Sequence, residues 1–176
     1  MKRQVYLIGF MGAGKSAVAR TLAKRFGALV LEMDAYIEQE ERKKISEIFA
    51  TQGEEAFRQM ETRLLLYLSG AGPLVVSCGG GVAMREENVK IMRKNGIIVY
   101  LTASPETVFK RVKDHHDRPL LENNMSISYI AELMEKRRPR YEAAADYSIC
   151  SDDRSLEDIA AEIWKLAGGE ETVTKV

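Results

Sequence analysis

The chain has 176 residues, 45% apolar and 30% charged, which suits a globular domain with a sizeable core. Lys plus Arg and Asp plus Glu each number 26, and this zero net charge excludes a strongly basic nucleic-acid binder. No apolar run approaches the ~20 residues that span a bilayer, so neither nucleic acid nor membrane is an expected partner.

The elements follow as short apolar runs alternating with helical patterns. Val5-Tyr6-Leu7-Ile8 reads as a buried strand, and a helix from about Lys15 to Phe26 carries Val18, Leu22 and Phe26 on one face. Leu29-Val30-Leu31 is a second run. Helical spacing then covers Ile45 to Leu68, with Gly53 a candidate break. Leu74-Val75-Val76 precedes Gly79-Gly80-Gly81, Ile97 to Leu101 follows a helix ending near Gly96, and Tyr147 to Cys150 is the last strand. Helices are expected over 105–113, 126–144 and 155–167. Such alternation predicts an α/β fold, a parallel sheet covered by helices on both faces. Residues 1–168 read as one domain, with an irregular lid at about 114–125 and a frayed polar tail over 169–176. MKRQVYLIGF has the basic start and apolar run of a signal peptide, but Gly12 to Ser16 interrupts it and no cleavage region follows. A cytoplasmic monomer is the expectation. Cys78 and Cys150 have no CxxC or Cys/His spacing and read as free thiols.

Gly9-Phe10-Met11-Gly12-Ala13-Gly14-Lys15-Ser16 matches G-x-x-x-x-G-K-[ST] between a strand and a helix. Its glycines let successive N–H groups face phosphate oxygens, and the helix N-terminus adds positive charge. Lys15 can reach the β- and γ-phosphates, and the Ser16 hydroxyl can reach magnesium. The expected phosphate-binding set is Gly12, Ala13, Gly14, Lys15, Ser16 and Ala17. A guanine-reading Asn-Lys-x-Asp element is absent, which leaves a small kinase, needing an acceptor pocket, phosphate-neutralising cations and a lid.

Glu32 and Asp34 stand two apart at the end of the second strand, where they can face one side; one can hold magnesium through water while the other accepts from the acceptor hydroxyl. Asp34 can equally be the N-cap of a helix starting at Ala35. Arg58 and Glu61, three apart on a helix, form either a preorganised carboxylate grip or an ordinary solvated pair. Gly79, Gly80 and Gly81, beyond a strand's carboxyl end, permit close backbone approach to an anion. Arg111, Arg118, Arg137 and Arg138 make a basic series; Arg118 sits in the lid, while Arg137 to Arg140 can be solvated. His115 and His116 read as exposed lid residues.

Taken together, the P-loop, Asp34, Gly53-Glu54-x-x-Phe57-Arg58, the triple glycine, Arg118-Pro119-Leu120-Leu121 and Arg137-x-Pro139-x-Tyr141 resemble shikimate kinase over nearly the whole chain, to about Arg154. The resemblance implies a three-layer fold of the nucleoside-monophosphate-kinase type, its five parallel strands in order 2-3-1-4-5. It implies transfer of the ATP γ-phosphoryl group to shikimate, with Mg2+, in aromatic amino-acid biosynthesis. Asp34 would bind the shikimate hydroxyls and act as base. Arg58, Arg137 and the backbone at Gly80 would hold its carboxylate, with Glu61 orienting Arg58. Arg118 would close over the phosphates, and Arg111 and the loop around Arg154 would sandwich the adenine. The family usually has aspartate at Glu32. A gluconate-type kinase and a non-catalytic nucleotide-binding module are the competing readings.

Overall fold

The computed structural model describes residues 1–113 and 126–170; the expected lid at 114–125, with His115, His116 and Arg118, and residues 171–176 lie outside the described residues. Five strands form one parallel sheet: β1 (Gln4–Ile8), β2 (Val30–Glu32), β3 (Val75–Ser77), β4 (Gly96–Thr102) and β5 (Tyr147–Cys150). Their order is β2-β3-β1-β4-β5, the order implied by the resemblance. Between them run α1 (Lys15–Phe26), α2 (Met33–Glu41), α3 (Ile45–Tyr67), α4 (Glu86–Asn95), α5 (Pro105–Val112) and α6 (Ile127–Ala144), and α7 (Leu156–Leu166) follows β5.

Strand side chains alternate between faces, and this alternation splits the core in two. Tyr6, Ile8, Val76, Ile98 and Tyr100 face a cluster completed by α2, α3, α4 and α6 residues such as Met33, Phe57, Met92 and Tyr141. Val5, Leu7, Val75, Val99 and Ile149 face the other, completed by Val18 and Leu22 of α1 and Ile159 and Ile163 of α7. The seam between α1 and α7 ends in a Phe26–Trp164 stack, centroids 4.8 Å apart and planes within 7°. A smaller cluster of Phe10, Val108, Val112 and Ile130 fixes the P-loop against α5 and α6.

Several boundaries differ from expectation. Leu29 is exposed and β2 begins at Val30, because Leu29 precedes the first register pair, Val30 with Val75. Helix α2 starts at Met33, so Asp34 lies inside its first turn and is not its N-cap; Glu32 holds that position and makes no capping bond. Gly53 does break the long helical stretch: at φ 85° and ψ 163° it kinks α3 between Ile45 and Tyr67.

Candidate active site

The strands end in a cleft of about 520 Å³ whose walls are Gly12, Lys15 and Ser16 on one side and Glu32, Asp34 and Gly80 on another. Cleft position follows from topology, since ligands in open parallel sheets bind beyond the strand carboxyl ends. Lys15 Nζ donates to the Gly9 and Phe10 carbonyls at 2.8 and 3.1 Å, folded along the loop it serves. Gly14, the N-cap residue of α1, is left-handed, and Ala13 is buried while Ala17 lines the cleft. Together they leave the first turn of α1 facing the space where phosphate would sit.

Ser16 Oγ donates to Glu32 Oε2 at 2.9 Å and lies 3.4 Å from Ser77 Oγ. The longer glutamate therefore still meets the P-loop serine. Glu32 Oε1 is buried without a hydrogen-bond partner among the described residues. A hydroxyl, a carboxylate and a second hydroxyl are the hard oxygen donors that a small divalent cation takes alongside phosphate oxygens. Nothing in the sequence pattern singled out Ser77, whose role depends on β3 lying beside β1.

Around the triple glycine the predicted acceptor residues converge. Arg58 Nη1 donates to Glu61 Oε2 at 2.8 Å, and its Nε and Nη2 donate to Glu54 at 3.2 and 2.9 Å. The Glu61 side chain is 0% exposed and that of Arg58 14%, so the pair is buried, not solvated. A Cβ on Gly81 would stand 2.1 Å from Arg58 Nη1, and one on Gly79 would stand 2.5 Å from Glu61 Oε1 and 2.8 Å from Asp34 Oδ1. A side chain at either position would have to displace the Arg58 fork or the Glu61 and Asp34 carboxylates. Arg137 flanks Gly80, with Nη1 3.9 Å from the position a Cβ would occupy, and its guanidinium lies 5.8 Å from the Phe10 ring. Arg138, by contrast, is exposed and pairs with Glu135. Buried Tyr141 donates to the Gly80 carbonyl, fixing the backbone that the two arginines face; burial pushes its hydroxyl pKa up to about 12.

Electrostatics at this end are set by burial. It pushes the Glu61 carboxyl up to about 7 against the pull of Arg58, and the Asp34 carboxylate pushes it the same way. Burial works against the Arg58 cation, but Glu61 and Glu54 outweigh it and hold its pKa above the ordinary value. Cys78 lines the cleft as a buried thiol whose pKa burial raises.

At the other end, Arg111 Nη1 donates to the Gly12 carbonyl at 3.0 Å and to Ser151 Oγ at 3.1 Å. Arg154, three residues beyond Ser151, is paired with Glu162 at 2.7 Å. Of the predicted site residues the structure brings the P-loop set, the acceptor set and Arg111 to this end of the sheet, whereas Arg154 pairs with Glu162 of α7 and Arg118 lies outside the described residues.

A family model described as shikimate kinase matches residues 11–167. The chain is 40% identical over 163 residues to a shikimate kinase of Dehalococcoides mccartyi, covering 93% of this chain and 92% of that one. It is 44% identical over 161 residues to a shikimate kinase of Persephonella marina, covering 92% and 96%. Among solved structures it is similar to the shikimate kinase from Acinetobacter baumannii in complex with shikimate, at a TM-score of 0.87 and 34% identity, covering 94% and 93%.

Proposed function

Because the chain belongs to the shikimate kinase family, we infer that its cleft transfers the γ-phosphoryl group of ATP to the 3-hydroxyl of shikimate, a step of aromatic amino-acid biosynthesis. The observation that carries this reading is the buried Arg58–Glu61 pair wrapped on Gly79 to Gly81 beside Asp34 and at the mouth of the P-loop cleft. A carboxylate bearing three hydroxyls needs a cationic fork and an acceptor for its hydroxyl proton, and this end of the cleft offers both.

Arg58 and Arg137 grip the shikimate carboxylate from either side of the Gly80 backbone, and Glu61 holds the Arg58 fork in plane. Asp34 orients the 3-hydroxyl and takes its proton as the oxygen bonds to the γ-phosphorus. The bond to the bridging oxygen breaks in line, and ADP leaves. Lys15, the α1 N-terminus and the loop N–H groups hold the phosphates, with Arg118 assigned to the same oxygens. Arg111 and the loop carrying Arg154 take the adenine. Ser16, Glu32 and Ser77 fit Mg2+ by their oxygen donors and the unpartnered Glu32 Oε1. When bound, the ion neutralises charge on the phosphoryl oxygens. The reading extends to a monomeric cytoplasmic enzyme; no described helix is long and apolar enough to cross a membrane.

A coupled ADP-release assay with magnesium-ATP and shikimate, quinate, gluconate or no acceptor tests it, with Asp34→Asn as control. The expected result is turnover on shikimate alone, abolished in the control. Turnover on gluconate in its place would discard the carboxylate grip.

A further inference from the structure

The loop after β5 is fastened to α5 at both ends of that helix. At the N-terminal end, the backbone N–H of Ser104, the N-cap residue, donates to Asp152 Oδ2 at 2.8 Å. At the C-terminal end, Arg111 donates to both Ser151 Oγ and the Ser151 carbonyl, the latter at 3.3 Å. Arg111 also reaches Gly12, so P-loop, α5 and the loop form one closed circuit. The Ser151 N–H donates to the Thr102 carbonyl at 2.8 Å, which ties the loop to the end of β4.

Asp152 is an expensive way to make such a tie. Its Oδ1 is buried and has no hydrogen-bond partner among the described residues, and a half-satisfied buried carboxylate carries a desolvation penalty. Asp153, next in the chain, is left-handed at φ 52°, a conformation that aspartate tolerates better than most side chains and that turns the loop sharply at this point. The sharp turn and the penalty gather in one short loop facing Arg111. That arginine commits its edge donors to Gly12 and Ser151 while the residue stays exposed. A guanidinium tied by its edge offers a flat cationic face to a π system.

We propose that Asp152 is a positioning residue for the nucleobase: by clamping Ser104 it sets the gap between the Arg111 face and the 151–154 loop, and so the width of the slot that takes the purine. It acts through α5 and does not touch the nucleotide. The proposal rests on the assignment of adenine to this end of the cleft and deepens it.

Calorimetric titration of the full-length protein with ADP and with inorganic tripolyphosphate, which has the phosphates and no base, tests it. In Asp152→Ala, ADP affinity falls about five- to tenfold while tripolyphosphate affinity changes less than about twofold. The ATP KM rises in step, with the shikimate KM and kcat held. Asp152→Asn keeps ADP affinity, because its amide oxygen still accepts from the Ser104 N–H. Asp152→Glu keeps the charge but adds a methylene and shows the loss of the alanine variant, which leaves a readout should that variant not fold. Equal losses of ADP and tripolyphosphate, unchanged ADP affinity in the alanine and glutamate variants, or a loss in Asp152→Asn would overturn the proposal. Neither titration contains shikimate, so both decide on Asp152 whatever the acceptor is.

Discussion

On the function proposed above, the buried Arg58–Glu61 pair serves both substrate binding and folding. Replacing Arg58 with alanine removes a charge-assisted grip worth about 1.5–3 kcal/mol, so the shikimate KM is expected to rise at least about tenfold in steady-state assays. The same change leaves Glu61 buried without its cation, and urea unfolding should show a stability loss of about 3 kcal/mol. Glu61 also makes the pair sensitive to pH. Its carboxyl moves from an ordinary 4.5 up to about 7 in the folded chain, so between those values the folded state holds a proton that the unfolded state releases. Its contribution to stability is therefore full below about pH 4.5 and is lost as pH rises through 7, a change of order 1–3 kcal/mol. Urea midpoints of the parent chain and Glu61→Gln across pH 4.5–8 should differ in this sense. Ionised Glu61 holds Arg58 best, so the shikimate KM is expected to fall over the same rise in pH, and to lose that dependence in the glutamine variant.

At the scale of elements, the kink in α3 sets where that pair points, since Glu54, Arg58 and Glu61 all follow Gly53 on the second half of the helix. Beyond its own neighbours in the helix, no atom of the described residues lies within 4 Å of a Cβ built on Gly53, so the cost of Gly53→Ala comes from backbone conformation. At φ 85° and ψ 163° it should be about 1–3 kcal/mol in urea unfolding, with a raised shikimate KM as the half-helix turns. This kink was readable from the sequence as a glycine in a helical period, and the P-loop and the strand alternation were equally plain. What stayed open were features that depend on residues far apart in the chain. The spacing of Arg58 and Glu61 is visible, but their burial comes from α3 lying over the glycines after β3. The place of Asp34 was ambiguous because capping and first-turn positions share a preference for acidic side chains. Ser77 and Asp152 left no local signal, their partners being Ser16 and Ser104.

For the whole molecule, the sheet divides labour as well as hydrophobic cores. The P-loop helix α1 is seated in the cluster it shares with α7, and α2 and α3, which carry the proposed acceptor residues Asp34 and Arg58, in the cluster on the opposite face. Ligands held from two cores meet only beyond the carboxyl ends of the strands, so each should stabilise the chain separately. ADP or shikimate at 100 times its Kd adds about 2.7 kcal/mol, measurable as a raised Tm. The single tryptophan is Trp164, whose stack on Phe26 closes α1 at the end away from Ser16, ~15 Å off along a helix rising ~1.5 Å per residue. Its fluorescence is thus a natural reporter of tertiary integrity that is blind to catalysis. A variant that has lost turnover but keeps the parent emission spectrum has a chemical defect, and one whose emission shifts has lost its fold first.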